Sequence, residues 1–184
     1  DEYYKKDNNY ENFNYSDLNK LILKSKKISN SNLEKRLLVE DGNVILHDQK
    51  GNIIVFSIKE KKIIRKFNFY KKRFKKINKK LNLIVEKNII YISDNVGYLY
   101  AYNYIFDKIV WAKNYKIPFR SNLKISKNKL IAVNQNNILY FLNKSNGEML
   151  SQIPTEETKV KNQFINNLST NENSTFFLNT YGSL

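Results

Sequence analysis

Four stretches of the chain can be laid over one another without gaps. The anchor is a turn residue, Gly51, Gly97, Asn137 and Gly182, at successive offsets of 46, 40 and 45 residues. Three positions before it stand Asp48, Asp94, Asn134 and Asn179, and fourteen before it Leu37, Leu83, Leu123 and Leu168. Six positions after it, Ser57, Asn103 and Asn143 close a β-branched and aromatic run. A period of roughly 40–45 residues with four short strands per unit is the signature of propeller blades, in which each unit buries its faces only by stacking on its neighbours.

Within each unit the strands are legible from residue type. The clearest copy is 81–116, where 89–93 and 98–103 are β-branched or aromatic runs separated by the turn Asp94-Asn95-Val96-Gly97. Strands at 81–85 and 108–111 flank them, and such density of short strands favours an antiparallel meander. The same logic puts strands at 37–39, 44–47, 53–57 and 62–68 in the first copy. In the third it puts them at 123–125, 130–133, 138–142 and 148–153. Gly42 and Gly51 sit where a tight hairpin needs positive φ, and Asn137 takes that role in the third copy. Tyr98, Tyr100 and Tyr102 alternate with Leu99 and Ala101, so both faces of that strand are suited to burial between blades. Residues 1–32 read as an irregular leading segment with one further strand at 21–28, and 33–69, 70–116, 117–154 and 155–184 as successive repeats, the last truncated. A helical turn is expected only near 154–162, where Thr155 precedes two acids. The chain begins at Asp1 without an initiator Met and ends inside the third strand of the fourth copy, which reads as a piece of a longer propeller.

The run Asp94, Gly97, Leu99, Ala101 and then Trp111, eight residues after Asn103, resembles the pyrroloquinoline-quinone-type propeller repeat. Within that superfamily the chain is most similar to the BamB-type lipoproteins of outer-membrane protein assembly. The resemblance covers about 33–184 and implies a partial β-propeller of four-stranded antiparallel blades, all-β. It also implies a non-catalytic scaffold on the periplasmic side of the outer membrane, and a barrel-forming assembly subunit as protein partner. The docking Trp occurs once; Arg65 and Ser151 occupy its place in the neighbouring copies.

Enzymes with this repeat form the first alternative. A quinoprotein dehydrogenase of this type would carry adjacent Cys residues, a Ca²⁺ held by carboxylate and amide oxygens, and a general-base Asp. The chain has no Cys, and Asp48 and Asp94 share their repeat position with two Asn, so an Asx-turn role explains all four. His47 is the single histidine and ends a second strand with no partner cluster. No phosphate loop or nucleophile motif is present. The expectation is therefore no catalysis, no cofactor and no metal.

The second alternative rests on charge, which is +15. Lys and Asn fill turns throughout, so the charge is first a trait of composition. An anionic membrane surface or acidic partner comes next, and nucleic acid ranks last. The charge concentrates in YKKRFKKINKK, where Lys71, Lys72, Arg73, Lys75, Lys76, Lys79 and Lys80 form a basic patch with Phe74 as an apolar anchor. No apolar run approaches the ~18 residues of a spanning helix. For a protein partner the candidate residues are Phe119 and Arg120, an aromatic and an Arg side by side in a loop that enters a new blade and that is expected to expose both. In BamB-like proteins a comparable loop contacts the barrel subunit.

Overall fold

A computed structural model describes residues 28–34, 36–70, 74, 76–156, 166–171 and 173–184. Its strands fall where the β-branched and aromatic runs fall. The first sheet is β1 (Leu38–Glu40), β2 (Asn43–His47), β3 (Asn52–Ser57) and β4 (Lys62–Asn68). The second is β5 (Leu81–Glu86), β6 (Ile89–Asp94), β7 (Tyr98–Asn103) and β8 (Lys108–Asn114). The third is β9 (Lys124–Ser126), β10 (Lys129–Val133), β11 (Ile138–Asn143) and β12 (Met149–Pro154), and β13 (Asn167–Thr170) and β14 (Thr175–Leu178) pair by themselves. Every sheet is an antiparallel meander in sequence order, and among the described residues there is no α-helix. This is the all-β architecture of propeller blades. The strand expected at 21–28 and the helical turn expected near 154–162 fall largely outside the described residues.

The repeat register holds to the level of single residues. Gly51, Gly97, Asn137 and Gly182 all have positive φ, at 81°, 103°, 58° and 85°. The third and fourth strands slip past one another at the same place in each copy, after Val55, Ala101 and Phe141. Each slip leaves one residue of the fourth strand unpaired and increases the local twist, as a β-bulge does.

The sheets stack in chain order, and each junction is a core. Ile45, Ile53 and Val55 of the first sheet pack with Leu83, Tyr100 and Tyr102 of the second. The other face of β7 gives Leu99 and Ala101 to the next junction, with Trp111, Leu123, Leu130 and Tyr140. Val133, Leu139, Leu168 and Phe177 form the third. Phe67 stacks on Tyr102 and Phe69 on Tyr100, at centroid distances of 4.1 and 4.3 Å. Each large aromatic buries on the order of 150–250 Å², so these stacks dominate the junction. The leucine at the head of each unit faces the unit before it. Leu83, Leu123 and Leu168 are accordingly buried, whereas Leu37, with no described sheet on that side, is 54% exposed.

Candidate functional site: the two faces of turns and linkers

In an up-and-down sheet the connections collect at two ends. One end carries the turns after the first and third strands; the other carries the turn after the second strand and the linker to the next blade.

At the linker end, one side chain pins each second-strand turn. Asp48 Oδ1 accepts from the backbone N–H groups of Lys50 and Asn52 at 2.9 and 3.0 Å. Asp94 Oδ1 accepts from Val96, Gly97 and Tyr98 at 2.7–2.8 Å. Asn134 accepts from Asn136 and Ile138, and Asn179 from Tyr181 and Ser183, at 2.9–3.1 Å. These side chains are nearly or wholly buried. The pin needs only an oxygen acceptor at Oδ1, which Asp and Asn both supply.

The second oxygen of each acid meets a different environment. Burial pushes Asp48 up, but hydrogen bonds from the Ser31, Asn52 and Ser29 side chains outweigh it and hold the carboxyl at about 2. Asp94 receives the Tyr70 hydroxyl from the first linker, yet burial wins there and its pKa is raised. His47, buried beside Asp48, is lowered, chiefly by desolvation. Among the described residues no group of three or more His, Cys, Asp or Glu side chains is placed to hold a metal ion.

The opposite end carries clasps between blades. Trp111 Nε1 donates to the Lys144 carbonyl at 2.8 Å, and its ring lies on Gly147, where a Cβ would come within 2.5 Å of ring atoms. Arg65, at the equivalent position, donates to the carbonyls of Tyr104 and Ile105 at 2.9 and 3.0 Å. Tyr104 is the repeat equivalent of Lys144, so a guanidinium makes the bond that an indole makes one blade later. The first strand adds a second clasp: Glu86 pairs with the Lys144 ammonium, and Glu40, its equivalent, accepts from Asn88 N and the Tyr104 hydroxyl. Ser151, the third copy, is exposed on an outer strand that is exposed throughout. A shallow depression of about 360 Å³ lies over Arg65 and Ile105 on this rim.

The residues singled out in the sequence separate in space. Phe119 is 2% exposed, set edge-on to Tyr115 at 5.6 Å and close to Tyr140, with its N–H on the Asp94 carbonyl at 2.9 Å. The expectation that both loop residues are exposed therefore fails for Phe119, because the linker closes the top of a junction and its one large apolar side chain fills it. Arg120 is half-buried, its backbone fixed by Val133 O and Asn166 N, each at 3.2 Å. No described group hydrogen-bonds its guanidinium.

Of the basic patch, Lys71, Lys72, Arg73 and Lys75 lie outside the described residues. Lys76 and Lys80 are exposed. Lys79 is not a surface cation. It is 2% exposed, its ammonium donates to the carbonyls of Phe74 and Ile77, and it sits 5.2 Å from the Tyr70 ring centroid. Burial lowers its pKa, against the pull of Asp94. Phe74 packs against Tyr98, edge-on at 6.0 Å, rather than serving as an outward anchor.

Consecutive four-stranded meanders, stacked face to face and pinned by a repeated Asx turn, define a β-propeller. Solved structures agree on the fold. The chain is similar to the computationally designed protein Ika4, with 13% identity and a TM-score of 0.66 over 87% of this chain and 96% of that one. It is similar to BamB from Moraxella catarrhalis, with 15% identity and a TM-score of 0.58 over 79% of this chain and 41% of that one. It is also similar to the quinohemoprotein alcohol dehydrogenase of Comamonas testosteroni, with 16% identity and a TM-score of 0.57 over 68% of this chain and 21% of that one. The chain thus spans less than half the length of these natural proteins. No family model and no curated protein matches it.

Proposed function

We propose that the chain is part of a non-catalytic propeller scaffold that binds a protein partner at the periplasmic side of the outer membrane, in outer-membrane protein assembly. The observation that carries this reading is Arg120: a half-buried guanidinium on a rigid loop, without a described partner, presenting a fork of donors suited to a carboxylate or to backbone carbonyls. Its backbone is fixed on both sides, so little ordering entropy opposes binding. The acids that a catalytic base would be drawn from support it too. Asp48 and Asp94 have their oxygens engaged by turn amides and hydroxyls, so both serve the fold.

The likeness to BamB extends to the fold, and the partner class is this proposal's own step. The test separates the two loop residues. Arg120→Ala should weaken co-purification with the barrel-forming subunit and leave the melting temperature in place. Phe119→Ala should lower the melting temperature, with about 3–5 kcal/mol lost as for other buried aromatics. Arg120→Ala protein that co-purifies as well as the parent sinks the partner role of this loop. Spectral titration with pyrroloquinoline quinone addresses the enzyme alternative, and saturable binding would favour it.

A further inference from the structure

We propose that the linker face docks on an anionic lipid bilayer through Lys50, Lys76, Lys80 and Lys116, with Ile77 entering the headgroup region. The four lysines come from neighbouring turns and linkers knitted into one surface. Lys50 follows Gln49, whose carbonyl accepts Lys79 N at 2.9 Å. Lys80 N donates to the Asn95 side chain at 2.9 Å, and Asn95 in turn donates to Asn78 O at 3.0 Å. The Lys116 backbone lies over Gly97, 3.0 Å from where a Cβ would be. All four side chains are exposed, while Lys79 between them turns inward.

Most of the solvent-reachable carboxylates are on the other side. Glu40, Asp41, Glu60, Glu86, Asp107 and Glu148 all sit in or beside the turns after first and third strands. Apart from Glu34 and Glu156, they are the solvent-reachable acids of the described residues. Strands of five to seven residues separate the two ends by roughly 17–23 Å at about 3.3 Å per residue. The Debye length at physiological salt is about 8 Å, so those acids do not offset the linker face. Glu34 and Glu156 are the solvent-reachable acids of the linker end among the described residues, so a planar anionic surface meets a predominantly positive face on this side and a mixture on the other.

Ile77 decides between polyanions. It is 46% exposed in the loop between Lys76 and Lys80. An exposed aliphatic side chain ringed by lysines gains by entering a headgroup layer and gains nothing from a phosphodiester backbone. Tyr70 and Phe119, the aromatics of the linkers beside these lysines, are buried in the junctions and offer no ring for a base to stack on. This inference does not depend on the identity of a protein partner, since lipid alone tests it.

The experiment is sedimentation of the 184-residue chain with phosphatidylcholine vesicles, with and without phosphatidylglycerol at about one part in three, a range in which each lysine near the surface contributes measurably. Binding is expected only with the anionic lipid and should fall steeply with salt. Reversing Lys50, Lys76, Lys80 and Lys116 to Glu should lower partitioning at least about a hundredfold. Reversing Lys59, Lys61, Lys87 and Lys108 on the opposite face gives the same net charge and should cost far less. Ile77→Ser should cost about tenfold at constant charge. Equal losses from the two lysine sets overturn the assignment of the face. Undiminished binding by Ile77→Ser, or binding to random-sequence duplex DNA as tight as to the vesicles, overturns the bilayer as the partner.

Discussion

The contact between Trp111 and Gly147 allows a test of how blades lock. Gly147 has φ 69°, and a Cβ there would stand 2.5 Å from two atoms of the indole. Gly147→Asp should therefore expel the ring as well as occupy a left-handed conformation. Asp tolerates that conformation at about 1 kcal/mol, and the lost ring adds about 3–5 kcal/mol, the cost expected of Trp111→Ala. The preceding junction suggests the remedy. There Arg65 takes the place of Trp111, and Asp107, at φ 52°, takes that of Gly147. Installing that pair as Trp111→Arg with Gly147→Asp should recover about 1–3 kcal/mol relative to the sum of the single changes, a coupling typical of residues in contact. Urea unfolding of the four proteins in the cycle, read by circular dichroism and by tyrosine fluorescence, measures it. Strictly additive costs would refute the view that ring and glycine form one device. Divergent transitions from the two probes would show the junction melting ahead of its neighbours, as nearest-neighbour stacking permits.

Asp94→Asn should cost under about 1 kcal/mol and Asp94→Ala about 1–3 kcal/mol in thermal melts, because the amide keeps Oδ1 as acceptor and can donate to a tyrosine hydroxyl. Asn134 does this already, with its Nδ2 at 3.1 Å from the Tyr140 hydroxyl. Asp48, with its folded pKa depressed to about 2, contributes about 2 kcal/mol that is fully present above the unfolded value near 3.8 and is lost as pH falls through about 2. A carboxyl titration by NMR with its midpoint near 4 would contradict that. His47, lowered by burial, should stay neutral where a free histidine is charged, so stability should decline as pH drops below about 6.5 and His47→Gln should flatten the decline.

The repeat was readable because the residues that make it are constrained by backbone geometry alone. In the turn after each second strand, positive φ selects Gly or Asn, and the Asx turn selects Asp or Asn. Those requirements are local, so Gly97, Asp94 and their copies declare themselves in the sequence. Trp111 was readable for a related reason: it stands in fixed register with Asn103. Arg65 stands in the same register, but the sequence shows only that the ring is missing there; that a guanidinium reaches the equivalent carbonyl appears only in the structure.

What stayed hidden lies in the linkers, where the register stops. Nothing in Pro118-Phe119-Arg120 tells which side chain turns inward, since that depends on the hole left by Tyr115, just past β8, and Tyr140 of β11. Lys79 was hidden more deeply. In a lysine-rich loop it looks like its neighbours, and it is the carbonyls of Phe74 and Ile77, gathered by a turn, with the Tyr70 ring and Asp94 nearby, that make its burial tolerable.

The offsets between repeats differ, 46 residues in one case and 40 in the next, while strand register within each unit does not change. All of that difference falls in the connection between β4 and β5, at the linker end. In the first three copies the turns after the first strand at the clasped end keep one length, and there Arg65, Trp111 and Glu86 must find a carbonyl or an ammonium at a set place in the next blade. Growth and novelty therefore enter these blades more readily from the linker side. An inserted peptide, affinity tag or small domain near Lys76 should leave the sheets as they are, whereas the same insertion beside Lys144 would pull a clasp apart.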